Sequence, residues 1–167
     1  GAAVFWNFGD VHNYGTRNGG RPEIFKMGHH YQEMFRKHGI RLTDEITWEK
    51  NPNWVTNPQV TYSDRVRHTT YRVLNNFEHI WIFRKDGDRE VPIDLEYESK
   101  ITKDEWKEWV NGVWKINAVA SQKDHPAQFP EELVSRPIQM FSYKGDIVLD
   151  PFLGSGTTVK VARELGR

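Results

Sequence analysis

The stretch GDIVLDPFLGSGTTVKVARELGR, residues 145–167, decides the fold. An apolar run over residues 147–149 stops at Asp150, breaks into small residues and resumes as a helical pattern near Thr157. A short apolar run bounded by turn residues reads as a buried strand, so the stretch predicts a strand, a glycine turn over residues 150–156 and a helix. At such a junction glycine lets the main chain approach a ligand closely, and the first N–H groups of the helix have no partner within it. Ser155, Thr157 and Thr158 add hydroxyl groups, and Asp150 stands where it can accept from a cationic or hydroxyl-bearing ligand.

Two common ligand loops do not fit. A Walker loop needs a lysine directly before its Ser/Thr, and Gly156 holds that place. A dinucleotide loop reads G-x-G-x-x-G, and here Gly154-Ser155-Gly156 is followed by two threonines. A ligand with both an ammonium and a carboxylate suits the set better, its amino group near the acid and its carboxylate near the helix N–H groups. S-adenosylmethionine is such a ligand. Taken alone, the turn can also serve only to pack a helix against a strand.

Working outward, residues 2–8 form an apolar run ended by Gly9-Asp10, a second buried strand, and residues 15–22 are loop. From Pro22, Ile24, Phe25, Gly28, Tyr31, Met34 and Phe35 recur at helical spacing up to Gly39, predicting a helix. Residues 41–50 alternate like a strand, and residues 51–71, with two Asn-Pro steps, read as irregular. FEHIWIFRK, residues 77–85, is rich in aromatic and β-branched residues and reads as a strand. Thr102 followed by Glu105 is a capping box opening a helix with Trp106, Trp109 and Val113 on one stripe. Trp106, Trp109 and Trp114 are expected to be core. A further helix starts near Glu131, with Leu133, Ile138 and Phe141 inward and a kink expected at Pro137. Strands alternating with helices argue for an α/β sheet with a less regular insert between about 51 and 120.

Composition narrows the function classes. Lys plus Arg and Asp plus Glu are both 23, so contact with nucleic acid must come from local clusters. Absence of cysteine excludes disulfides and thiolate metal sites, and the seven histidines lack ligand spacing, so no metal is expected. No run approaches the ~20 apolar residues of a membrane helix. A cytoplasmic protein is expected. The local basic cluster is SDRVRHTTYR, with Arg65, Arg67, His68 and Arg72; Arg17 and Arg21 of the glycine-rich loop come next. These are candidates for DNA phosphates, or are solvated surface arginines.

LDPFLGSGTT resembles the cofactor motif of the amino-group DNA methyltransferases, which methylate N6 of adenine or N4 of cytosine. HPAQFPEEL, residues 125–133, is similar to the segment these enzymes place before that motif. VFWNFGD, ITWEKNP and FEHIWIFRK resemble, in turn, the strand after their catalytic loop, a later core strand, and the strand before their target-recognition region. The order resembles the permuted β group of restriction-modification enzymes, and the blocks cover nearly the whole chain. The resemblance implies a Rossmann-like S-adenosylmethionine-dependent fold, α/β in class, with an irregular recognition insert. Residues 1–50 would be partial core, 51–120 the insert with one core strand returning near 77–85, and 121–167 the cofactor-binding part. It implies cofactor contacts from His125, Pro126, Phe129, Asp150, Pro151, Phe152, Gly154, Ser155, Gly156, Thr157 and Thr158; His125 can also serve only to orient its loop.

The family's catalytic loop, Asp/Asn/Ser-Pro-Pro-Tyr/Phe, has no match, because the chain holds no Pro-Pro dipeptide. The acid that binds the cofactor ribose also has none. The chain is therefore expected to be an internal piece of a longer, prokaryotic or viral methyltransferase acting on duplex DNA. It is expected to be inactive alone and inclined to homo-oligomers or strand swapping through unpaired sheet edges. A non-catalytic DNA-binding module on the same scaffold, and a methyltransferase acting on a small molecule or protein, remain the alternatives.

Overall fold

The computed structural model describes residues 1–13, 23–51, 75–119 and 128–167. Its centre is a four-stranded mixed sheet. The strands are β1 (Ala3–Phe8), β4 (Ile40–Glu49), β5 (Phe77–Lys85) and β6 (Val113–Lys115), in the order β1-β5-β4-β6. β5 lies antiparallel to both β1 and β4, and β6 lies parallel to β4. A separate two-stranded ribbon joins β2 (Val11–Asn13) to β3 (Glu23–Phe25). The helices are α1 (Met27–Arg36), α2 (Ile93–Glu98), α3 (Lys103–Trp109), α4 (Glu131–Phe141) and α5 (Thr157–Glu164).

Alternation along the strands fills both faces of the sheet. On one face Ile46, Trp48, Ile80, Ile82 and Trp114 pack with Trp109, Ile116 and Leu133, and Phe5, Met140 and Phe141 close the edge. On the other, Trp6 and Phe8 meet Tyr31 of α1, and Phe35 stacks near Phe83 with centroids 4.2 Å apart. Gly28 makes that second layer possible: a Cβ there would fall 2.4 Å from the Trp81 ring, so only glycine lets α1 lie this close. A smaller cluster of Ile138, Val161 and Ala162 joins α4 to α5, with Val148 packed against it.

Strands β1, β4 and β5 and helices α3, α4 and α5 lie where the sequence places them, and the Thr102–Glu105 capping box is formed in both directions. Pro137 sits inside α4, which runs on to Phe141. Three expectations are corrected. The helix expected from Pro22 begins only at Met27, and Ile24 and Phe25 belong to β3, both half exposed. The reason is long-range: the Asp10 carboxylate accepts from the Met27 N–H at 3.2 Å and fixes the helix start there. The tryptophan stripe is broken, because α3 ends at Trp109 and Val113 belongs to β6; Trp109 and Trp114 are buried but Trp106 faces water. Residues 147–149 do not form a buried strand, since no strand pairs with them among the described residues, and Ile147 and Leu149 are exposed. Only Val148 turns inward.

Candidate functional site

The glycine turn is built by its own residues. Gly154 and Gly156 have φ of 51° and 85°, the left-handed region that an L side chain resists. The Gly156 N–H donates to the Leu153 carbonyl at 2.9 Å, and the Gly156 carbonyl accepts from Lys160 N–H at 3.0 Å, so the turn runs directly into α5. A Cβ on Gly156 would meet nothing within 4 Å, so open space lies over the start of that helix. Asp150 braces the loop: one carboxylate oxygen accepts from Phe152 N–H at 2.8 Å and the other from Thr158 Oγ1 at 2.6 Å. Each oxygen keeps a second lone pair for a further donor. Ser155 and Thr157 hydroxyls lie 3.2 Å apart, Thr157 is buried, and Pro151 and Phe152 are exposed at the rim.

Beside the turn an open groove of about 330 Å³ runs between residues 145–150 and α5, with Asp150, Thr158, Val159 and Arg163 in its wall. Polar contacts hold its floor. Asp146 accepts from Tyr143 N–H at 2.9 Å and from Arg89 at 2.5 Å. Burial opposes ionisation of Asp146, but these two bonds outweigh it and keep its carboxyl below the ordinary range. Arg167 donates to the Ser142 carbonyl at 2.8 Å, and burial lowers its basicity from the usual arginine value.

The exposed Phe152 ring lies 5.9 Å from Trp6 of β1, edge to face. Phe129 lies 6.3 Å from Trp48 at the end of β4, whose indole N–H donates to the Ile116 carbonyl at 2.8 Å. His125 and Pro126 lie outside the described residues, as do Arg17, Arg21, Arg65, Arg67, His68 and Arg72.

Two constellations escape a reading of the sequence. Lys50, which resembles an ordinary surface charge, sits 4.5 Å over the Trp48 ring and is ion-paired with Glu78. Its signal was the register, which sets Trp48 opposite Glu78 across the β4–β5 ladder. At the end of β1, Asp10 receives Lys26 Nζ at 2.6 Å and faces His79 Nε2 at 3.8 Å, while His79 Nδ1 lies 3.3 Å from Glu45. Burial works against the charge on Asp10, but the bonds from Lys26 and Met27 prevail and lower its pKa. Among the described residues no group of three His, Cys, Asp or Glu side chains is arranged to hold a metal ion, and no helix is long and apolar enough to cross a membrane.

A family model described as DNA methylase, covering the N6 and N4 enzymes, matches residues 1–167. The chain is 38% identical over 125 residues to Type II methyltransferase M.BglI of Bacillus subtilis, covering 74% of this chain and 32% of that protein. It is 41% identical over 143 residues to Type II methyltransferase M.MjaI of Methanocaldococcus jannaschii, covering 81% and 46%. It thus spans less than half of the length of each of these relatives. Among solved structures, Thermus thermophilus TTHA0409, crystallised with S-adenosyl-L-methionine, superimposes with a TM-score of 0.79 at 30% identity, over all of this chain and 61% of that one. The cytosine-N4-specific PvuII DNA methyltransferase, at 21% identity and a TM-score of 0.63, shares the fold over 97% of this chain and 55% of its own. The chain belongs to the N6/N4 DNA methylase family, the amino-group DNA methyltransferases of restriction-modification type.

Proposed function

We propose that the chain supplies the scaffold, part of the cofactor site and DNA contacts of a site-specific DNA methyltransferase, which moves a methyl group from S-adenosylmethionine to N6 of adenine or N4 of cytosine. The observation that carries this reading is the turn: two left-handed glycines, open space above Gly156, and an aspartate anchored at both oxygens. The first N–H groups of α5, unpaired within the helix, would receive the cofactor's carboxylate. Asp150 has lone pairs left for its amino group, and the exposed Phe152 and Phe129 rings would offer apolar contact. When bound, the cofactor supplies an activated methyl group, so the protein's task is positioning.

In this reading strands β1, β4, β5 and β6 form the sheet, residues 121–167 would hold the cofactor, and the less regular parts of residues 51–120 would carry recognition of DNA. The exocyclic nitrogen is inaccessible in a stacked duplex, so the target base must leave it, at a cost of a few kcal/mol that pocket contacts recover. The residues that receive that base would be supplied by a Pro-Pro loop, which this chain does not contain. The test is methyl transfer to duplex DNA followed by nucleoside analysis, run on a full-length protein containing this chain and on the 167-residue chain alone. N6-methyladenine or N4-methylcytosine from the former and no product from the latter are expected. Turnover by the chain alone would overturn the assignment of catalysis to residues outside it, and methylation of protein or small molecules in place of DNA would overturn the substrate.

A further inference from the structure

Helices α2 and α3 present an unexpected surface. Tyr97 is 70% exposed and Trp106 is 54% exposed. With Lys100, Ile101, Thr102 and Lys103 they line one open cleft of about 720 Å³. Single exposed apolar side chains are ordinary; here two large rings share one cleft with two lysines.

The charge inside the cleft has one sign. Lys100 and Lys103 make no salt bridge among the described residues, whereas Lys107 outside it is held by Asp104 at 3.1 Å. The neighbouring carboxylate of Glu105 is committed to the capping box, accepting from Thr102 N–H at 2.8 Å. Asp94, Glu96 and Glu98 of α2 do not line the cleft. Two ammonium groups without a carboxylate partner among the described residues, beside two exposed rings, match a chain of phosphates carrying flat bases.

We propose that this cleft is a DNA-strand contact, with phosphate oxygens on Lys100 and Lys103 and a sugar or unstacked base against Tyr97 and Trp106. The choice of DNA rests on the methyltransferase reading above. The site itself is separate from the cofactor turn and from the arginines singled out in the sequence.

The test is anisotropy titration of a labelled 30-mer, as duplex and as single strand, across a salt series, with S-adenosylhomocysteine affinity measured in parallel. Tyr97→Ala with Trp106→Ala is expected to weaken single-strand binding at least about tenfold. Lys100→Ala with Lys103→Ala is expected to lower the duplex salt slope by about 1.8, the share of two phosphate contacts. Cofactor affinity should be unchanged in both. If the aromatic pair fails to fold, the lysine pair decides, since both lysines are exposed and make no salt bridge among the described residues. DNA binding that both variants retain unaltered overturns this site and leaves the methyltransferase reading standing. A wild-type protein that binds no DNA at all overturns both. A shift of tryptophan emission caused by polyglutamate but not by DNA would assign the cleft to an acidic protein segment and overturn the proposal.

Discussion

In β5, Ile82 and Phe83 are 2% and 0% exposed; in residues 147–149, Ile147 and Leu149 are 96% and 85% exposed. Both are rich in apolar residues. β5 has a strand on each side and a packed layer on each face, so its side chains leave water twice over. Residues 147–149 have no ladder among the described residues, and only Val148 reaches a core. The limb from Gly145 to Arg167 therefore keeps its shape by polar bracing: Asp146 on Tyr143 and Arg89, Asp150 on Phe152 and Thr158, and Gly145 N–H on the Gly166 carbonyl at 2.7 Å. An apolar run becomes core only where a neighbour covers it, and a site can be held open by hydrogen bonds where none does.

Truncations in the two regions should differ sharply. Trp114→Ala removes a side chain 1% exposed whose indole N–H donates to the Trp109 carbonyl at 3.0 Å. A loss of about 4 kcal/mol in urea unfolding is expected. Next comes the bracing itself: Asp146→Asn should cost about 1.5 kcal/mol near neutral pH. Because the folded pKa of Asp146 lies below its ordinary value, its contribution is present above about pH 4 and is lost as pH falls through the lowered folded value. The gap between wild type and variant should close on acidification, and a gap that widens would contradict the bracing role. Thr102→Ala, which removes the capping box of α3, should cost about 1 kcal/mol and leave the sheet intact. The smallest effect is expected for Leu149→Ala, within about 0.5 kcal/mol for the chain on its own. A large loss there would show that the limb is packed after all and erase the contrast.

How far the sequence could be read follows from the range of the interactions. β5 matches its predicted residues end to end because its aromatic and β-branched pattern is a local signal. The start of α3 is likewise written in Thr102 and Glu105, and the start of α5 in Gly156. Helix α1 was misplaced because its first N–H is held by Asp10, 17 residues earlier, and nothing local shows that reach. Helix periodicity alone could not say that Trp109 faces the sheet while Trp106 faces water. At the site, the glycine turn was legible in full, but the engagement of both Asp150 oxygens with Phe152 and Thr158 was not. The Lys50–Glu78 pair was hidden for the same reason as α1, since its partners meet across a ladder and not along the chain.

The central claim is that residues 150–158 form a cofactor-binding turn shaped by Asp150. Calorimetric titration of the folded chain with S-adenosylhomocysteine, in parallel with Asp150→Ala, tests it most directly. The account predicts binding by the wild-type chain that the variant loses while its far-ultraviolet circular dichroism stays unchanged. Equal affinity in the two proteins would contradict it.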